Sequence, residues 1–406
     1  MLDDSTYGWT PTTPAGDPER MLDEAFAKAH RDPDFGLPAW VRSGDRDEIR
    51  SRPIVMFGVN EFTYTLLACL GRSRDSALVD DYRQGQSLMG IECLTSDEFE
   101  ARHARSRSVV CVDCARYGRS TLHFRGLALR AQVDTLNFEQ AVRLLEPPGL
   151  DDRVGDHLPA ILASESALRT LRSRLHDGLS RETFCRVLLY HMTTCREFYR
   201  SVERPYETLY FRSGLFEPRH DERFVDCGAS IGESIGGLLE MTSLAIERAW
   251  LIEPDRGNVA TLQKLVMRLA RDRPDLERRL SLIPCAVGEA RGRVWFRHAG
   301  GHGGNVIASP SGGDDTVAEV DVVAIDDVVD APPTMIKMDV EGYELNALRG
   351  AGRSIEAHRP RLCVSAYHRA TDLVDLSEFV LSIRDDYRLG LRHHTPLRWD
   401  TCLYFY

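Results

Sequence analysis

The 406-residue chain is too long for one ordinary core, so two or three domains are expected. Hydrophobic residues make up 43% and charged residues 28%, the balance of a soluble globular protein, and no run approaches the roughly 20 apolar residues that span a bilayer. A formal net charge of -11 argues against a surface built to grip phosphate backbones, which sets nucleic acid aside as a substrate.

The first twenty residues are acidic and rich in Pro and Thr, without the basic-then-apolar pattern of a secretory signal, and read as disordered. A short helix is predicted over Met21–Ala29. The ten cysteines are scattered and mostly lie in apolar stretches, as buried reduced thiols of a cytoplasmic protein would. From about Arg52 the chain reads as a small α/β unit: strand 54–57, turn 58–61, helix 62–70, strand 77–80, a hairpin-like piece near Gly85–Ile91, helix 96–105 and strand 108–112. That order matches a mononucleotide-binding half, but Asn60 and Thr63 stand where further glycines would let a pyrophosphate approach. Cys111 and Cys114 form a CxxC inside a strand-like run, with no second pair to complete four zinc ligands.

Residues 136–222 are predicted helical. Leu158, Ile161, Leu162, Leu168, Leu171 and Leu175 recur at helical spacing; Gly178 is expected to end that helix, and Ser180 to start the next. From Arg223 strands and helices alternate again, with apolar runs at 224–226, 250–252, 280–284, 335–338 and 362–365, the pattern of a parallel sheet covered on both faces. Stretches 387–393 and 401–406 close the chain as an antiparallel edge. The expected organisation is therefore 1–45 as a partly disordered segment, 46–135 as a Rossmann-like α/β domain, 136–222 as a helical connector, and 223–406 as a second, larger α/β domain.

Four stretches of the last region carry chemistry. In FVDCGASIGES a strand ends at Asp226, and Gly228 and Gly232 permit a tight turn that opens a helix N-terminus. Such a turn suits a carboxylate, and Asp226 beside it suits an ammonium; a ligand with both charges on one end is an amino acid. In LIEPDRGNV, Glu253 follows Gly232 at the distance of a ribose-binding acid, and Asn258 is expected to open a helix. In IKMDVEGYELNALRGA, Asp339 and Glu341 project from the carboxyl edge of the sheet, where clustered carboxylates suit a sulfonium, a proton or a metal; Glu344 has the alternative of pairing with Lys337 or Arg349. In LCVSAYHRATDL, Tyr367 and His368 follow the next strand at the same edge. His298 and His302 sit among glycines, and His393 and His394 alternate on a strand, so neither pair reads as a metal site.

Together FVDCGASIGE, IEPD, IKMDVEGYELNALRGA and SAYH resemble the FkbM family of methyltransferases, over roughly residues 206–406. The resemblance implies a class I, Rossmann-like α/β fold with a mostly parallel seven-stranded sheet. It implies S-adenosylmethionine as cofactor, and as acceptor a hydroxyl, or sometimes an amide, on a small molecule, glycan, lipid or peptide. It places Asp226, Gly228 and Gly232 at the methionine end, Glu253 at the ribose, and Asp339 and Glu341 near the methyl; Glu233 and Asn258, from the same segments, join the cofactor residues. The N-terminal unit resembles the Rossmann-like partner domain of some members. For the acceptor proton Asp339, Glu341 and His368 are the candidates, with His368 lying farther toward the acceptor and free to act as a base near its unperturbed pKa of about 6.5. A sulfonium already carries positive charge, so no metal is expected. A glycine-rich loop, 299–314, is expected to shape or cover the acceptor site. The rivals are a nicotinamide oxidoreductase, which would share Gly228 and Glu253, and a non-catalytic methyltransferase-like module; an oligomer is compatible with either.

Overall fold

The computed structural model describes residues 16–70, 76–116, 118–309 and 315–406. Most of the segment expected to be disordered, and residues 310–314 of the glycine-rich loop, lie outside the described residues. The chain divides into two compact units, Met1–Ala163 with Cys185–Ser201, and Ser164–Phe184 with Val202–Tyr406.

The first unit is built on six strands: β1 (Ile54–Phe57), β2 (Ala77–Val79), β3 (Ser87–Leu88), β4 (Ile91–Leu94), β5 (Val110–Asp113) and β6 (Thr135–Asn137). Their order is β3-β4-β2-β1-β5-β6, parallel except for β3. The CxxC lies in and just after β5, whose four residues are all buried. Phe57 meets Phe99 edge-on at 5.0 Å and stacks on Phe124 at 5.6 Å, fixing two helices to one face of the sheet. The helix Ser96–His103 starts on a Thr95/Glu98 capping box, and Phe138–Leu145 on an Asn137/Gln140 one. Residues 201–222 contain a single 3-10 turn, Tyr206–Thr208.

Gly178 does not end a helix. The preceding helix stops at Arg174, and Gly178 is the first residue of Gly178–Thr193. The cap is Asp177, whose carboxylate accepts from Ser180 N at 2.9 Å and from Ser180 Oγ at 2.6 Å; an aspartate can satisfy orphan N–H groups that glycine cannot.

The second unit carries β7 (Arg223–Cys227), β8 (Arg248–Ile252), β9 (Leu280–Ile283), β10 (Ala286–Val287), β11 (Gly292–Arg297), β12 (Asn305–Ile307), β13 (Val317–Val323), β14 (Met335–Met338), β15 (Arg361–Ser365), β16 (Leu389–His393) and β17 (Thr401–Phe405). Seven of them form the sheet β16-β17-β15-β14-β7-β8-β9, parallel apart from β17, which runs antiparallel to both its neighbours. The near-continuous apolar strands are buried because helices such as Glu233–Met241 lie against the sheet. From β7 the chain winds outward through β8 and β9, then returns to β14 on β7's other side and winds outward through β15. The order therefore reverses between β7 and β14, and the crevice beyond their carboxyl ends is where open α/β sheets bind ligands. A second sheet, β10-β13-β11-β12, was not anticipated. Its β11 and β13 are only partly buried and held by pairs such as Arg293–Glu319, and β12 arises inside the segment read as a plain glycine loop.

Candidate cofactor and acceptor site

The turn after β7 is shaped by three left-handed residues: Gly228 (φ +76°), Ser230 (φ +48°) and Gly232 (φ +100°). A Cβ on Gly228 would collide with the carbonyl oxygen of Asp339, so the turn can lie against the β14 edge only because the residue is glycine. Gly228 N and Ala229 N both donate to Ile252 O, at 3.0 and 3.1 Å, tying the turn to β8 on its other side. Gly232 caps the helix Glu233–Met241 without a capping side chain, which leaves the dipole end and its N–H groups for an anion.

Glu253, at the end of β8, is buried. Its Oε2 accepts from Ser230 N at 2.8 Å, and its Oε1 from Asp255 N at 2.9 Å and Asn258 Nδ2 at 3.4 Å. Burial pushes its pKa up, opposed by those donors. A carboxylate offers about four lone-pair sites, so acceptor capacity remains for a ribose hydroxyl. The helix opener is Asp255 and not Asn258: Asp255 accepts from Gly257 N and Asn258 N, and the helix runs Arg256–Asp272. Asn258 instead faces the glycine-rich loop, donating to Gly301 O and accepting from Gly301 N, both at 2.8 Å. Asp255 also accepts from Ala299 N and Gly300 N at 3.1 Å. The start of the loop expected near the acceptor thus lies against the turn that follows β8. His302 Nε2 reaches Glu233 Oε1 at 3.4 Å, and Glu233 raises its pKa.

Asp226 lies one residue before the end of β7. It is fully buried, and its partner is Lys337, register neighbour on β14, with Nζ 3.2 Å from Asp226 Oδ1. Lys337 also donates to Gly228 O at 2.6 Å and Cys227 O at 3.3 Å. Burial opposes charge on Lys337, but Asp226 and Asp339 outweigh it and raise its pKa; burial raises that of Asp226, with Lys337 pulling the other way. The Asp226 carboxylate braces the turn through Lys337, and neither of its oxygens makes an aligned hydrogen bond, so acceptor capacity remains.

Asp339 does stand at the edge, its carboxylate 23% exposed. Tyr210 OH donates to its Oδ2 at 2.8 Å and Tyr367 OH to its Oδ1 at 3.2 Å. Burial would raise its pKa, but Lys337, His368, Tyr210 and Ser365 together lower it, leaving an anion. Glu341, also 23% exposed, follows in a left-handed conformation (φ +56°), a strained position for a non-glycine residue. Glu344 pairs with neither Lys337 nor Arg349. Its Oε1 accepts from Val340 N at 2.9 Å and Gly342 N at 3.3 Å, and lies 3.0 Å from His368 Nδ1.

His368 is only 1% exposed, with Nε2 at 3.6 Å from Glu341 Oε2 and 3.8 Å from Asp339 Oδ1. It lies behind the two carboxylates and not beyond them. Burial would lower its pKa, but Glu344, Glu341 and Asp339 drive it up to about 10, far from the ordinary value expected of a neutral base. Sequence reasoning missed Lys337 as the turn's anchor, Tyr210, and Asp400, whose pKa burial and Asp339 raise to about 7. Tyr210 lies in a stretch without periodicity or motif; Lys337 was visible as the lone charge in an apolar strand.

Residues 226–388 match the methyltransferase FkbM domain model. The chain is 41% identical to the methyltransferase FkbM from Methylobacillus flagellatus KT, covering 96% of this chain and all of that one, with a TM-score of 0.84. The chain belongs to the FkbM methyltransferase family. It is thus an α/β methyltransferase of the class I fold, whose methyl donor is S-adenosylmethionine. Other solved structures match more distantly. An rRNA methylase from Streptococcus thermophilus is 12% identical over 46% of this chain and 86% of that one, with a TM-score of 0.30; a methyltransferase from Geobacter sulfurreducens is 16% identical over 61% and 87%, with a TM-score of 0.26. No curated protein matches. Among the described residues no helix is long and apolar enough to cross a membrane.

Proposed function

We propose that this FkbM methyltransferase moves a methyl group from S-adenosylmethionine to a hydroxyl oxygen of a small-molecule or glycan acceptor. The observation that carries the reading is Asp339: an ionised, partly exposed carboxylate held by two tyrosines, on a residue whose backbone carbonyl packs against the glycine turn at the sheet's switch point. In this reading the methionine carboxylate takes the turn Gly228–Gly232 and the helix end at Glu233, while Glu253 and Asn258 hold the ribose side. Asp226 braces the turn through Lys337, which fixes the carbonyls of Cys227 and Gly228.

The acceptor oxygen attacks the methyl opposite the sulfur, so the O–C bond forms as the S–C bond breaks, leaving S-adenosylhomocysteine. Alignment of the reacting atoms supplies most of the acceleration. The hydroxyl proton passes to Asp339 or Glu341, the two exposed carboxylates, and His368 positions them from behind. With Glu233, Asp339, Glu341 and Asp400 around one site, acceptors bearing phosphate or carboxylate near the hydroxyl are disfavoured. Turnover of hydroxyl-bearing acceptor libraries with methyl-labelled cofactor tests the reading. Label found only on nitrogen would replace it with amide N-methylation, and no label in any acceptor, despite cofactor binding, with a binding module.

A further inference from the structure

His368 is buried, yet neither of its ring nitrogens makes an aligned hydrogen bond, and Glu344 Oε2 beside it has no partner either. Leaving such groups unsatisfied in a protein interior costs about 1–3 kcal/mol each, more when charged. Three carboxylates (Asp339, Glu341 and Glu344) surround this one imidazole at 3.0–3.8 Å. Lys337 is already engaged by Asp226 and by two backbone carbonyls, and Arg369 donates its Nε to Gly342 O at the same turn. One ligand atom from each of Asp339, Glu344 and His368 lies within 4.8 Å of the others, close enough to share an ion.

Building on the methyl-transfer reading, we propose that Asp339, Glu344 and His368 bind a divalent cation of the magnesium–manganese class, with Glu341 as a further ligand at the rim. Carboxylates with a single imidazole and no thiolate suit those ions, which usually keep open positions for water or substrate oxygen. Asp339 and Glu341 are the exposed members and form the entrance, while Glu344 is fixed by the backbone of the β14 turn. An acceptor hydroxyl on the ion would lose its proton more readily, and that proton leaves to a rim carboxylate or to solvent. The ion takes no part in electron transfer; one S–C bond is exchanged for one O–C bond as before. This departs from the metal-free transfer expected from the sulfonium charge alone.

The test is manganese titration of the chelator-stripped full chain, followed by electron paramagnetic resonance, with S-adenosylhomocysteine calorimetry on the same samples. One saturable Mn²⁺ per chain is expected. Glu341→Gln should weaken it about 10-fold, and His368→Gln about 100-fold, the span seen when ligand-shell groups are lost, while S-adenosylhomocysteine affinity changes little in either variant. Uptake that is absent up to about 5 mM, or equally tight in both variants, overturns the metal site and leaves the methyl-transfer reading standing if S-adenosylhomocysteine still binds. A folded chain that binds neither overturns both.

Discussion

The two units each begin a parallel sheet with strand, glycine turn and helix, yet only one turn is left receptive. After β1, Asn60 closes its own turn: Nδ2 donates to Cys114 O at 2.7 Å, Oδ1 accepts from Phe62 N at 2.9 Å, and Thr63 Oγ1 donates to Gly58 O at 2.6 Å. After β7, Gly232 leaves the helix end uncapped, and Lys337 holds the turn's carbonyls from below. The acids that follow differ in the same way. Asp80 accepts from Tyr82 N, two residues on, whereas Glu253 reaches across to the glycine turn at Ser230 N. A Rossmann-like beginning therefore becomes a binding site only where its donors and acceptors are not already used by the chain itself.

Paired substitutions break or sharpen that contrast. Gly228→Ala should have the largest effect, abolishing S-adenosylhomocysteine binding in calorimetry, because the new Cβ meets the backbone of Asp339 as well as a left-handed φ. Gly58→Ala carries the φ strain, about 1–2 kcal/mol, but its Cβ lies 3.3 Å from the movable Phe124 ring, so cofactor affinity should stay normal. Asp339→Asn should lower turnover about 10²–10⁴-fold, the scale for losing a positioned proton acceptor, in single-turnover assays. Glu253→Ala should weaken cofactor binding by roughly 10- to 150-fold, from the 1.5–3 kcal/mol of charged hydrogen bonds, while Asp80→Ala leaves it unchanged.

The smallest effect concerns the first unit alone. Asp113, at the end of β5, is buried, and that burial raises its pKa to about 7 despite the amide of Ala115 and the charge of Arg196, with Glu139 adding to the rise. A raised folded-state value means its contribution to stability is full below about pH 4, the ordinary aspartate value, and is lost as pH rises through 7. Asp113→Asn should flatten that decline in thermal melts between pH 4 and 8, measured with both variants in matched buffers (about four pH units spanning both values).

The receptive turn was legible because glycines and strand-ending acids mark it at fixed spacing, and the sheet because its strands are almost wholly apolar. What escaped was cross-strand pairing and long-range return. β7 ends at Cys227 instead of Asp226, and the register that sets Asp226 beside Lys337 on β14 is written in neither strand alone. His368 was expected beyond Asp339, but the loop after β15 folds back, with Arg369 Nε donating to Gly342 O at 2.7 Å, and carries the imidazole behind the carboxylates. Tyr210 reaches Asp339 from 129 positions away along the chain, a contact no local pattern encodes.

The central claim, one S-adenosylmethionine site built on the turn after β7, is tested most directly by titrating the full chain with S-adenosylhomocysteine and with NAD in a calorimeter. The account predicts one S-adenosylhomocysteine per chain, no heat from NAD, and loss of the signal in folded Gly228→Ala but not in Gly58→Ala. NAD binding without a response to S-adenosylhomocysteine, or a signal lost with Gly58→Ala and kept with Gly228→Ala, would contradict it.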